Sequence, residues 1–308
     1  MYREIVIDEI IEAKGFDKVS LRDKAVDKIL VNDESKRRFQ GLSSRIIKLF
    51  KAILPDPAAG RFSKLCALLV NINERIMSLS PKGDDIKEAM GRIEKLLDES
   101  IEAEGYVIPA HSNIVDLSRI DFEELKKRFL TENKHLEAEK LRGAINAKVK
   151  RMVRINKLRI TLSEKLERLI DEYNSGAINI EIFFDELTKL AKEVNEEDKR
   201  AISENLTEEE LALFDLLDKG DLNKNERGQV KKAARALIET LKKEKFVLDW
   251  RKRQQTRADV QVTIETVLDK ELPRTYTPEI FKEKCGEVFE HVYDAYYGAD
   301  KNIYNINA

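Results

Sequence analysis

The 308-residue sequence predicts an all-α protein, on three observations: where its prolines fall, how its apolar residues repeat, and how little strand-like alternation it carries. All six prolines (Pro55, Pro57, Pro81, Pro109, Pro273 and Pro278) lie between segments of helical periodicity, and none interrupts the chain from Pro109 to Pro273. A helix interior would be broken there by the missing N–H. Hydrophobic residues make up 42% and charged residues 37% of the chain, which suits long amphipathic helices rather than disorder. Two stretches look extended: Gly105 to Leu117, read as a connector, and Val260, Val262 and Ile264, too brief for a strand.

Taken in order, the helices mark themselves by apolar stripes at steps of three and four. Leu42, Ile46, Leu49, Phe50 and Ile53 share one face and are expected in the core. Asp121-Phe122-Glu123-Glu124 and Thr207-Glu208-Glu209-Glu210 have capping-box spacing. Val230, Ala233, Ala234, Leu237, Ile238 and Leu241 form the next apolar face. Thr277-Pro278-Glu279 places a cap, a proline at the first helical position and an acid at the positive helix end. Phe281, Cys285, Val288, Val292 and Ala295 then supply a seam for helix packing. The expectation is a multi-helix bundle of about a dozen helices in two parts, 1–108 and 119–298. A connector over 105–118 joins them, and 299–308 is a frayed tail.

Several functions are excluded by what is missing. The closest glycines are eight positions apart, so neither G-x-G-x-x-G nor G-x-x-x-x-G-K exists to cradle a phosphate. Asp221-Leu222-Asn223-Lys224-Asn225 opens like a calcium loop, but Glu226 and Lys232 stand where Gly and a bidentate Glu are needed. Glu124-Leu125-Lys126 resembles a nuclease triplet yet lies in a predicted helix. Three scattered histidines and two distant cysteines, Cys66 and Cys285, make neither a zinc site nor a disulfide framework. His291, among Phe289, Val292 and Tyr293, reads as a partly buried structural histidine. No catalytic residue, metal or cofactor is expected. No apolar run reaches membrane length, so no membrane partner is expected, and two distant cysteines without a disulfide framework fit a reducing cytoplasm best.

Net charge is only −2, so electrostatics must be local. From Lys134 to Arg159 nine basic residues, among them Lys148, Arg151 and Arg154, face two acids, a net of +7. From Glu164 to Asp198 the balance is −7. The two runs could pair with each other, or the first could contact DNA phosphates or an acidic partner. A second cluster, Trp250-Arg251-Lys252-Arg253 with Arg257, sets the sole tryptophan beside four cations. Trp250, Arg251, Arg253 and Arg257 join the candidate binding residues because Trp and Arg concentrate interface energy. Trp250 read alone fits better as a core anchor at a helix junction.

From this cluster onward the residues become familiar. Trp250 to Ala258, Val262-Thr263-Ile264-Glu265, Leu268-Asp269 and Leu272-Pro273-Arg274 resemble the end of type I restriction endonuclease R subunits. So do Tyr276-Thr277-Pro278 and Lys284-Cys285 with Val288 to Tyr293, and upstream Asn205 to Asp215 and Ile120 to Glu123. Phe50 to Pro57 is similar but less telling. The resemblance implies the C-terminal helical region of a large motor protein, holding it on a methyltransferase core of modification and specificity subunits. None of that family's nuclease or ATPase motifs occurs here. The alternative is a helical domain that guides duplex DNA along the basic surface. A stand-alone structural protein is a third reading, with nothing in the sequence to favour it.

Overall fold

The computed structural model describes residues 7–13, 15–53, 56–79, 117–131, 133–246, 250–298 and 301–304. Among the described residues the regular structure is helical apart from one two-stranded ribbon, as the sequence predicts. Pro55, Pro81, Pro109, His111 and residues 105–116 of the expected connector lie outside the described residues. Val260 and Ile264 are buried on a helix while Val262 is exposed, so their alternation is helical, not extended. The chain forms two compact units, residues 1–148 with 164–194 and residues 149–163 with 195–308. This division departs from the expected one, because residues 119–148 and 164–194 join the first unit.

The helices of the first unit are α1 (Ile7–Glu12), α2 (Gly15–Ile29), α3 (Asp33–Ile53), α4 (Ser63–Ser78), α5 (Phe122–Thr131) and most of α7 (Ile160–Asn174). Two more, α6 (Lys134–Ile155) and α8 (Ile180–Asp198), contribute to both units. The first core gathers Ile10, Val26, Ile29, Ile72, Ile76 and Leu136. Side chains cap the helices as they enter it: Asn32 Oδ1 accepts from Ser35 N (2.8 Å) at α3, and Asp27 Oδ1 accepts from Leu136 N (2.9 Å) at α6. At the end of α7, Gly176 takes φ +78°, and Ala177 N returns to Glu172 O. That left-handed turn favours glycine.

A polar knot fastens α3 to α6 and α7. Arg142 donates a fork to Asp33 (Nη1–Oδ1 2.8 Å, Nη2–Oδ2 3.0 Å) and reaches Glu139 (3.2 Å), while Asn174 Nδ2 donates to Asp33 (3.0 Å). Burial pushes the Asp33 carboxyl up, but the Arg142 hydrogen bonds outweigh it and hold the group below its ordinary value. Beside it, Tyr173 donates to Val31 O (2.8 Å), so its oxygen accepts the Nδ1 proton of His135 (2.9 Å).

In the second unit, α9 (Arg200–Ser203) leads to α10 (Glu208–Leu217), α11 (Lys224–Glu244), α12 (Gln254–Glu271) and α13 (Pro278–Ala295). Consecutive members of the last four pack on one another and α13 returns to α10, closing a four-helix ring. The expected stripe of α11, from Val230 to Leu241, is buried in its core, as are Cys285, Val288, Val292 and Ala295 of α13. The Thr207 capping box is complete: Glu210 N donates to Thr207 Oγ1 (3.2 Å) and Thr207 N to Glu210 Oε2 (2.9 Å). Asp121 caps α5 through Glu123 N and Glu124 N, whereas Glu124 pairs with Arg128. The segment that opens like a calcium loop is a second capping box, with Asn223 accepting from Glu226 N (3.0 Å) and Glu226 from Asn223 N (2.9 Å).

The expected frayed tail needs correction over residues 301–304. Tyr296–Gly298 pairs with Lys301–Asn302, Ile303 N donates to Ala295 O (3.0 Å), and Asn302 and Ile303 are buried. Tyr304 places its hydroxyl 2.7 Å from His291 Nε2. Ile303 and Tyr304 give this segment apolar surface to bury, which its asparagine-rich composition obscures.

The buried polar groups set two measurable dependences. Arg142→Ala strands the Asp33 carboxylate and should lower unfolding free energy by about 2–3 kcal/mol in urea titration; an unchanged midpoint would refute the knot's role. His291 is held down to about 4 by burial, with Lys157 adding to the effect and Asp294 opposing it. It stays neutral where an unfolded histidine protonates near 6.5. Its contribution to stability is therefore present above about pH 6.5 and lost as pH falls towards 4, by about 2 kcal/mol at pH 5. His135, also lowered by burial, acts with the same sign. His291→Gln should remove most of the slope, and a variant as pH-sensitive as the parent would contradict it.

Candidate docking interface

Trp250 is fully buried, its Nε1 donating to Tyr296 O (3.2 Å), between Phe246 (centroids 5.6 Å) and the edge-on Tyr293 (5.9 Å). This corrects its place among the binding candidates: an indole with no exposed surface packs, and a partner cannot reach it. Its consequence is positional. Thr256 Oγ1 donates to Trp250 O (2.6 Å), tying the turn to the start of α12.

The next residue turns outward. Arg251 lays its guanidinium over Tyr293 (4.4 Å) and Tyr297 (5.0 Å), and Tyr297 is exposed. Stacking on two rings orders a side chain that otherwise samples many rotamers. Arg253 is exposed at the cap position of α12, and Arg257 follows one turn later, half-buried. An open groove of about 660 Å³ lies between α12 and α13. Gln254, Arg257 and Gln261 form one wall; Phe289, Tyr293 and Asp294 stand on the other. Of the four candidates from this cluster, Arg257 lines the groove and Arg251 stacks on its Tyr293, while Arg253 stands at the cap of α12 and Trp250 is buried. Sequence reasoning missed the aromatic half, Phe289, Tyr293 and Tyr297, because these rings meet the arginines only once α13 packs on α12.

The other three candidates behave differently. Lys148 is half-buried, while Arg151 and Arg154 are exposed, and Arg151 lies 3.9 Å from Asp198. Much of the basic run is neutralised by the acidic run or by other acids: Lys134 pairs with Glu181 (2.7 Å), and Arg159 with Glu197 and Glu208 (2.9 Å each). Lys157 pairs with Asp294. Among the described residues, no group of three or more His, Cys, Asp or Glu is placed to hold a metal ion, and no helix is long and apolar enough to cross a membrane.

These features define an all-helical module whose most distinctive surface is an arginine–tyrosine groove on a four-helix scaffold. The chain belongs to the type I restriction enzyme HindI endonuclease subunit-like C-terminal family, whose model matches residues 1–296. It is 23% identical over 292 residues to a Methanocaldococcus jannaschii protein named as a putative type I restriction enzyme MjaIXP endonuclease subunit, covering 92% of this chain and 27% of that one. The type I restriction enzyme HindI endonuclease subunit of Haemophilus influenzae is 24% identical over 196 residues, 61% of this chain and 18% of the relative. The chain therefore spans only 27% and 18% of the lengths of these curated relatives. No solved structure matches.

Trp250→Ala should destabilise the protein by about 3–5 kcal/mol, as large core truncations do. A circular dichroism melt indistinguishable from the parent's would show that the scaffold does not depend on it.

Proposed function

We propose that this chain is a non-catalytic assembly module of a type I restriction endonuclease subunit, docking that subunit onto a methyltransferase core of modification and specificity subunits. The observation that carries the reading is the Arg251–Tyr293–Tyr297 stack beside the open groove. Arginine and tyrosine are residues in which interface energy concentrates, and ordering them before contact lowers the entropy lost on binding. Family membership supplies the context, since the relatives are named as subunits, a word that implies companions. DNA guidance along α6 is the rival. The ion pairs of Lys134, Lys157 and Arg159 reduce the charge available to it.

The test is binding of the purified chain to a purified methyltransferase core, followed as salt is raised. Arg253→Glu with Arg257→Glu should leave folding within about 0.5 kcal/mol, since both are surface changes. Affinity should fall about tenfold or more, because carboxylates would replace cations at a partly desolvated contact. Unchanged affinity at low and high salt would reject this groove as the docking surface. Binding to duplex DNA alone that collapses steeply with salt would favour the rival.

A further inference from the structure

Leu42, Ile46, Leu49 and Ile53 of α3, expected in the core, are instead 44%, 41%, 68% and 46% exposed; only Phe50 of that set is buried. Three rows run side by side along this helix. The inner row, Ser43, Ile47 and Phe50, is buried against the first unit. The middle row is the exposed apolar one, and a continuous apolar stripe at a protein surface marks a place where something binds. The outer row is basic: Arg38, Arg45 and Lys48 stand at steps of seven and three, all exposed. Lys36 turns the other way, onto Glu139, and Arg37 Nε donates to Asp33 O (3.2 Å), so neither belongs to this row. Among the described residues no acid pairs with the three outer cations, and the sequence carries none from Ser35 to Pro55.

The width of the apolar row selects its occupant. One residue wide and repeating at four, three and four, it is a coiled-coil seam rather than the broad face a helix turns to a core or a bilayer. DNA phosphates would neutralise the cations but leave the apolar row with nothing to bury it. A second copy of α3 is opposed by charge. In an antiparallel two-fold contact the basic row of one copy would meet the same row of the other, and facing like charges cost affinity. In a parallel contact it would meet the inner row, which the protein's own core already covers. We propose that this face takes an amphipathic helix of a partner protein, with Leu or Ile at steps of three and four and Asp or Glu along the flank that meets Arg38, Arg45 and Lys48. Apolar burial and ion pairing then act along one seam. The face belongs to the first unit and the α12–α13 groove to the second, so neither reading depends on the other.

The probe is a synthetic peptide about three heptads long, with Ile and Leu at its seam positions and Glu on both flanks. A second peptide carries Lys in place of Glu. Like charges on both flanks keep each peptide from pairing with itself. Binding of each labelled peptide to the full chain is followed by fluorescence anisotropy at low and high salt. The acidic peptide should bind about tenfold or more tightly than the basic one, and the margin should shrink as salt rises. Leu49→Asp should weaken the acidic peptide about tenfold or more, since a carboxylate would enter the apolar seam. Leu49 is largely exposed, so the circular dichroism of this variant should match the parent's. Arg45→Glu with Lys48→Glu should reverse the preference, so that the basic peptide binds more tightly. Arg253→Glu with Arg257→Glu should bind both peptides as the parent does; loss of binding there would place the peptide at the groove and overturn the proposal. Failure of the acidic peptide to bind would also overturn it, as would a preference that Arg45→Glu with Lys48→Glu leaves in place. A parent that sediments as a dimer, with Leu49→Asp monomeric, would overturn it and assign the face to a second copy. Flotation with phosphatidylglycerol vesicles that Leu49→Asp abolishes would overturn it in favour of lipid, and duplex DNA binding that Arg45→Glu with Lys48→Glu abolishes in favour of nucleic acid.

Discussion

The burial of Trp250 is the constraint on which the second unit's surface depends. One side chain meets the end of α11 through Phe246, and the end of α13 through Tyr293 and Tyr296, while its own carbonyl holds the start of α12. Its single donor is satisfied by Tyr296 O, so the indole enters the core without an unpaired polar group. Three helix ends fixed at one point leave Arg251 little choice of direction. The tryptophan and the arginines, adjacent in sequence and alike as interface residues, thus divide into scaffold and surface.

The same division decides how much of the protein is legible in its sequence. Fold class is legible because prolines and apolar periodicity are local, and the caps at Thr207 and Thr277 are local too. The stripe of α11 is legible because every apolar position on it is buried. The division into units is not, since no proline or glycine marks the chain between residues 148 and 164, where the structure changes unit within a helix. The groove is half legible: Arg251, Arg253 and Arg257 stand together in sequence, but Tyr293 and Tyr297 reach Arg251 only through packing.

Charge runs are the least legible feature, for an electrostatic reason. A run of +7 followed by one of −7 describes separate helices, and the field each presents depends on what faces it. Arg159 is buried between Glu197 and Glu208, so a residue that counts towards a basic surface offers nothing to solvent. Asp33 and Arg142, more than a hundred positions apart, form a fork that no window of sequence contains. Cations held in this way cannot steer an incoming polyanion, while Arg154 remains exposed.

The α3 stripe obeys the opposite logic. Periodicity says that a face is apolar; it does not say when in the assembly that face becomes buried. On α11 the neighbouring helices are consecutive in sequence and cover the stripe directly. On α3, Phe50 joins Ala59 and Cys66 in a small cluster, and Ser43 and Ile47 turn inward, so the buried side of the helix is already occupied. Leu42, Ile46, Leu49 and Ile53 lie on the side left over, which makes α3 a helix with two apolar faces. Such a helix keeps apolar surface at the solvent after its own unit has packed. Charge divides in the same way: Arg38, Arg45 and Lys48 are exposed beside that outer face, whereas Lys36 is held on the inward side by Glu139.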